Sequence, residues 1–524
     1  MTDCRRFRPR CLASAAAVWV CLWAVAGSAT AGLQNDVQQI LTGASIGDTR
    51  ASVLVVDLRT GRTLVDVEAD APMVPASNMK LLTTAAALTR LGPDFKFSTR
   101  LLLLPKPTAE TASGPPPGGK SGADSRATSG GGGRPPSLLV RGTGDPAFGD
   151  PGLLASAGLY LDDLIDLWVT AVKDTGQTRF ETLFIDDRVF DRVFVHPSWP
   201  KGQLHRYSYA QVAGVNFYEN LLAVLPVPAE NFGQAPTVQV EPYFSNLRTT
   251  NRATTGDADL FDIQRNPGGN RFIFTGSVRN RRSQPFRATV HDPPMFFAAF
   301  FQYKLKQAGI RVGRVARVDP QARGLPDGAA VLHEINTTLA GVLDRTNADS
   351  QNLFAEALFK RMGHDLTGAP GSFQNGASAI RLFLRDRLAD HVGLSAVRVT
   401  DGSGLSPDNR LSAAVIVSLL RRMHADATLG PIYAASLSHA GHTGTLRLRL
   451  RDLSSEVYGK SGYLGASADY ASALSGYLVR PDGRTYAFSL VFNQFRPPVS
   501  HDRIKQVQDQ ILQAIDASIA APAR

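Results

Sequence analysis

Cysteine is almost missing from this sequence: 524 residues carry three, Cys4, Cys11 and Cys21, all near the start of the chain. They fall within a segment that reads as a removable leader, so the mature chain has no thiol, which excludes a disulfide, a thiolate zinc site and a cysteine nucleophile. Beyond residue 31 no stretch reaches the roughly 18 continuous apolar residues of a membrane helix. Charge of one sign is not concentrated anywhere. Lys and Arg total 56 against 46 acids, a net +10, but the basic residues are scattered, which excludes a nucleic-acid footprint. There is no internal repeat. With 43% hydrophobic and 19% charged residues the chain is too apolar to be disordered and too long for one typical domain.

What is present begins with the leader. Arg5, Arg6, Arg8 and Arg10 precede the apolar run Leu12–Ala26, and Ala29-Thr30-Ala31 supplies a small-residue cleavage site, so residues 1–31 read as an export signal. Lipid attachment at Cys21 is disfavoured by the bulky Trp19-Val20 before it.

Alternation predicts a hairpin over Ala51–Leu58 and Thr63–Val67, followed by a helix over Lys80–Leu91 that Gly92-Pro93 stops. Residues 105–136 are Gly, Pro, Ser and Thr with almost no large apolar side chain, a disordered loop inserted between the strands Phe95–Leu104 and Ser137–Val140. Residues 96–290 are rich in short strands, with one helix near Leu153–Val172, whereas Pro294–Ala308 and Leu353–Met362 return to helical periodicity. The chain closes with strands around Val457–Leu464, Ala468–Val479 and Thr485–Phe492 and an amphipathic helix, Ile504–Ile519. This pattern suggests an α+β domain formed by residues 32–95 and 291–524 and interrupted by a β-rich insert at 96–290.

Three short motifs could carry chemistry. Ser77-Asn78-Met79-Lys80 lies at a helix start, where a serine and a lysine three residues on share one face, so a desolvated amine can take the hydroxyl proton. By itself the spacing is weak: Ser198-Trp199-Pro200-Lys201 repeats it between Pro197 and Gly202, where no regular helix fits. Lys460-Ser461-Gly462 on a strand offers a cation, a hydroxyl and room for close backbone approach, enough to hold a carboxylate. Its duplicate, Lys120-Ser121-Gly122, falls in the low-complexity loop. Ser350-Gln351-Asn352 precedes a helix and offers a second hydroxyl to relay a proton and an amide to hold a lysine. Taken singly, Ser77 and Ser350 also fit simple helix caps, and Lys460 a strand-edge lysine.

In this order, Ser-x-x-Lys, Ser-x-Asn and Lys-Ser-Gly resemble the penicilloyl-serine transferases. The chain further resembles the D-alanyl-D-alanine carboxypeptidase/endopeptidase family of class C, type-4 penicillin-binding proteins. That likeness rests on Gly142-Thr143-Gly144-Asp145-Pro146, Pro197-Ser198-Trp199-Pro200, Asp401-Gly402-Ser403-Gly404-Leu405-Ser406 with Asn409-Arg410, Gly444-Thr445-Leu446, and the long stretch between Ser77 and Ser350. The resemblance implies a β-lactamase/transpeptidase-like domain interrupted by a β-rich, two-domain insertion. It implies that Ser77 attacks the carbonyl between two terminal D-alanines, Lys80 is the base, Ser350 passes the proton on, and Asn352 orients Lys80 and the substrate. Lys460 and Ser461 would bind the terminal carboxylate, with Gly462 leaving room for the substrate backbone, and backbone N–H groups of Ser77 and Tyr463 would form the oxyanion hole. No metal or organic cofactor is required. The partners are peptidoglycan peptides and β-lactam inhibitors, in the periplasm; relatives can be dimeric, so a homodimer is left open.

Two departures stand out. Ser461 occupies the place of the usual threonine. Where relatives that recognise the free amine of a diaminopimelate side chain often carry an acid, this chain reads Lys201-Gly202-Gln203-Leu204, with Tyr207 and Tyr209 as candidates for lining the cleft. The alternatives are an esterase or β-lactamase of the same fold, or a non-catalytic cell-wall binding protein. Gly43-Ala44-Ser45-Ile46-Gly47 imitates a hydrolase elbow but lacks the strand before it, and Gly142-x-Gly144-x-x-Ala147 lacks a βαβ unit. His439 and His442 have no acidic third ligand nearby and read as ordinary surface histidines.

Overall fold

The computed structural model describes residues 32–105, 134–322, 324–325, 328–465 and 470–520; the leader and the loop over 106–133 lie outside them. The strand Arg50–Asp57 carries Val53 to Val56, which are buried, and pairs on both sides, with Thr63–Val67 and with Thr485–Phe495. This sets up a six-stranded antiparallel sheet in the order Ser438–His439, Glu456–Leu464, Tyr470–Val479, Thr485–Phe495, Arg50–Asp57, Thr63–Val67. Because side chains alternate across a strand, the sheet presents two apolar faces. One packs on the first helix, 32–43, and on His501–Ala520, whose Ile504, Val507, Ile511, Leu512 and Ile515 form its buried stripe. The other packs on Met79–Leu91, Leu339–Asn347, Asn352–Thr367, Phe373–Leu388 and Ala413–His424. The result is an α+β three-layer domain with the functional motifs on the helical side.

The insert is built on a five-stranded sheet in the order Arg311–Arg317, Arg179–Asp186, Ser137–Gly142, Lys96–Leu104, Ala330–Thr338. As expected, Lys96–Leu104 and Ser137–Gly142 pair antiparallel across the intervening loop. A second part carries small sheets, among them Phe286–Thr289, Leu221–Val227 and Thr237–Glu241 in that order. The insert does not end at residue 290. Arg311–Arg317 pairs in parallel with Arg179–Asp186, and Ala330–Thr338 pairs with Lys96–Leu104, so the chain returns to the first domain only at the helix Leu339–Asn347. The helix Pro293–Gln307 likewise belongs to the insert, since its Phe297 and Phe301 pack against Trp168. The single helix expected near 153–172 is two, Pro151–Ser156 and Leu161–Lys173, separated by Gly158 at a positive φ of 70°.

Trp168 is fully buried, stacked on Phe148 at 5.1 Å and edge-on to Phe297 and Phe301. Replacing it by alanine removes the centre of the insert's aromatic core, and Trp168→Ala is expected to lower unfolding free energy by about 3–5 kcal/mol in urea titrations.

Candidate active site

A tight turn, Ala76–Asn78, delivers Ser77 to the first turn of the helix Met79–Leu91. Neither helix start is capped by a side chain, so Ser77 is not an N-cap serine; the same holds for Ser350, where Gln351 occupies the cap position without a side-chain bond. Ala76 sits at φ 46°, a left-handed conformation that costs a non-glycine residue about 1–2 kcal/mol. Its surroundings hold it there. Asn78 donates to Ser475 Oγ at 2.6 Å, and Ser475 to Ser489 at 2.9 Å, tying the turn to the sheet. Gly404 lies so close that a Cβ would stand 1.8 Å from the Ala76 carbonyl, and a Cβ on Gly462 would stand 3.0 Å from Ser77 N. Glycine at both positions lets the loop and the strand close on the serine.

Lys80 is fully buried and its amine donates to Ser77 Oγ at 3.0 Å, Asn352 Oδ1 at 2.6 Å and Ser403 O at 2.8 Å. Burial disfavours its charged form and brings its pKa down to about 7, although the carboxylates of Glu356 and Asp401 pull the other way. Glu356 is itself fully buried, and desolvation followed by the nearby Asp401 pushes it up to about 8; its oxygens accept the backbone N–H groups of Gly402 at 3.0 Å and Ser403 at 2.8 Å. Those two bonds fix the carbonyl that Lys80 uses. Asp401 in turn accepts from Trp199 Nε1 at 2.9 Å, Asn409 at 2.7 Å and Ser406 N at 2.7 Å. The Asp401–Ser406 and Pro197–Pro200 segments therefore form the scaffold beneath the lysine. Ser198, the misleading match, bonds Ser406 at 2.8 Å within that scaffold.

On the strand Glu456–Leu464, Lys460 points inward, fully buried, and donates to Ser350 Oγ at 2.7 Å and Ser461 O at 2.8 Å. Burial, then the charge of Lys80, holds its pKa well below the ordinary value. Ser461 donates to Thr445 Oγ1 at 2.8 Å, and Tyr463, half exposed, stacks on His501 with ring centres 4.0 Å apart. The short strand Ser438–His439 pairs with Tyr458 and Gly459 and stops before Lys460. Asn352 completes the ring: its amide nitrogen donates to Ser208 O, from the insert, at 2.8 Å.

All eight expected residues thus meet in one place. Ser77, Ser350, Asn352, Ser461, Gly462 and Tyr463 line a cleft of about 1070 Å³, with Lys80 and Lys460 beneath it; Tyr207 and Tyr209 line it as anticipated. The acid missing from Lys201–Leu204 is not missing from the cleft, because Glu219 and Asp262 border it. Glu356, Ser208, Glu219 and His501 were not foreseen. Only Glu356 left a trace in the sequence, a lone acid on the apolar side of the helix Asn352–Thr367. Chemically, a buried amine that is neutral near pH 7 beside a hydroxyl can generate an alkoxide, and a second buried amine beside a hydroxyl and an open strand can hold an anion.

An antiparallel sheet flanked by helices, with a serine and two buried lysines at the mouth of one cleft, defines an enzyme of the transpeptidase-like class. More specifically, the chain belongs to the D-Ala-D-Ala carboxypeptidase 3 (S13) family, whose model matches residues 33–115 and 124–516. It is 30% identical over 490 residues to the D-alanyl-D-alanine carboxypeptidase of Actinomadura sp. strain R39, spanning 89% of this chain and 82% of that one. Penicillin-binding protein 4 of Haemophilus influenzae superposes with a TM-score of 0.71 at 21% identity, covering 92% of this chain and 99% of the other. The same protein complexed with a β-lactam superposes with a TM-score of 0.65.

The Lys80 amine is expected to titrate near pH 7 in isotope-edited NMR of the lysine side chains. A Lys80 resonance titrating near the ordinary lysine value would contradict the desolvation argument.

Proposed function

We propose that this enzyme releases the terminal D-alanine of peptidoglycan stem peptides in the periplasm, after removal of its leader, through an acyl group on Ser77. The observation that carries the reading is the neutral-poised, fully buried amine of Lys80, 3.0 Å from Ser77 Oγ. In this mechanism the free amine of Lys80 takes the Ser77 proton as Oγ adds to the carbonyl between the two D-alanines. The N–H groups of Ser77 and Tyr463 receive the negative charge that develops on the oxygen. Lys460 and Ser461, with Thr445 behind it, bind the terminal carboxylate. Ser350, bonded to Lys460, relays to the departing amine nitrogen the proton that Lys80 took from Ser77, as the C–N bond breaks, which leaves Lys80 free again. Water, activated by the same lysine, then releases the acyl group and restores Ser77.

Cross-link cleavage fits the same cleft. At about 1070 Å³ it exceeds the roughly 300–1,000 Å³ typical of small-molecule pockets, leaving room for a leaving group larger than one alanine. A β-lactam presents the same carbonyl and carboxylate and is expected to acylate Ser77.

Incubation of the mature protein with a penicillin is therefore expected to give one persistent adduct by intact-protein mass spectrometry, lost in Ser77→Ala. A folded wild type that takes no adduct would sink the reading and favour an esterase. Acylation should rise with pH through about 7 and then level, because only neutral Lys80 accepts a proton. Lys80→Arg keeps the charge, cannot deprotonate, and is expected to slow acylation by about 100-fold or more in stopped-flow assays.

A further inference from the structure

Two strained segments face each other across the edge of the cleft. Ser350 holds φ 61°, and on the insert three successive non-glycine residues, Tyr218, Glu219 and Asn220, hold φ 53°, 56° and 55°. Such conformations persist only where the surroundings over-determine them, and they concentrate at functional sites. Here the determinants are visible. Asn220 accepts from Phe217 N at 2.9 Å and donates to Gln211 O at 2.7 Å and Asn216 at 2.8 Å, while Tyr218 donates to Glu241 at 2.5 Å. What the strained run accomplishes is to aim Glu219, only 3% exposed, at the loop that carries Ser350.

The Glu219 carboxylate accepts from Gln351 Nε2 at 2.7 Å and Arg345 Nη2 at 2.8 Å through one oxygen, and from Arg287 Nη1 at 3.0 Å through the other. Arg345 also pairs with Asp150 at 2.9 Å and with Asp349, and its backbone carbonyl accepts Gln351 N at 3.1 Å. Gln351, the residue between Ser350 and Asn352, is thus gripped through its side chain by Glu219 and through its backbone by Arg345. The neighbours are held from other directions, Ser350 by Lys460 and Asn352 by Ser208 and Lys80. A simple domain-to-domain ion pair needs neither a bond to the residue inside the loop nor a backbone bent into the left-handed region to reach it.

We infer that Glu219 is a positioning residue for the reaction: from the insert it holds Gln351, and through it Ser350, where the hydroxyl can protonate the leaving amine. The inference rests on the relay role proposed for Ser350. It assigns the insert a part in the chemistry.

The test compares two substrates with the same acyl group, an amide ending in D-alanine and a thiolester whose thiolate leaves without a proton, on the full mature protein. Ser350→Ala is expected to slow the amide far more than the thiolester. Glu219→Gln, nearly isosteric, is expected to reproduce that discrimination, lowering kcat on the amide by about tenfold or more with KM and thiolester turnover within about twofold. Gln351→Ala breaks the same contact from the loop side and is expected to act alike, with the double variant no worse than either single one. It also serves if Glu219→Gln fails to fold. Equal loss on both substrates, or discrimination by Ser350→Ala alone, overturns the role of Glu219. If Ser350→Ala itself does not discriminate, the relay falls, and the inference about Glu219 with it.

Discussion

Two amines buried in one pocket are the constraint around which this protein is arranged. Removing an ammonium from water costs several kcal/mol even after relaxation, and here Lys80 and Lys460 are both fully buried and the charge of Lys80 raises the cost of charging Lys460. The protein answers them differently. Lys80 is given three acceptors and two carboxylates at its back, Glu356 and Asp401, which keep its proton loosely held rather than lost. Lys460 has a hydroxyl and a carbonyl, and its charge is compensated more poorly. Burial pushes both amines toward their neutral forms, and an entering carboxylate would favour the ammonium form again, so a ligand's anion would be bound for an electrostatic reason as well as a geometric one.

The surrounding architecture makes that crowding feasible. Backbones approach one another where side chains would forbid it: Gly404 against Ala76, Gly462 against Ser77, and Gly444 against the Ala348 carbonyl, where a Cβ would stand 2.3 Å away. Each contact joins a different pair of segments, and together they draw the Ser77 turn, the Ser350 loop and the Lys460 strand to one point. The insert then supplies the fourth side, through Ser208 and Glu219.

The motifs were legible because each is a short string of residue types whose meaning depends on local geometry: a helix start for Ser77 and Lys80, a strand for Lys460. The hairpin and the strand pair around the loop were legible from alternation. The end of the insert was not. Arg311–Arg317 reads Arg-Val-Gly-Arg-Val-Ala-Arg, a half-exposed strand at the border of its sheet without an apolar run, and Ala330–Thr338 is exposed along much of its length. Nor could sequence reveal the partners that allow Glu356 and Glu219 to be buried. A carboxylate's burial depends on partners distant along the chain, Gly402 and Ser403 for one, Arg287 and Arg345 for the other, and neither pairing follows a local period.

The pairing of Arg50–Asp57 with Thr485–Phe495 has a consequence in time. The strand that follows the first helix of the described chain has one partner at once, Thr63–Val67, but finds the other only among the last strands to be made, and the serine at 77 meets its strand lysine only once residue 460 has been synthesised. Contacts so distant along the chain close slowly, because the entropy of bringing the ends together is lost before the contacts repay it. A partly synthesised chain therefore carries Ser77 without the cleft around it. The cleft is complete only when the last strands have joined the sheet.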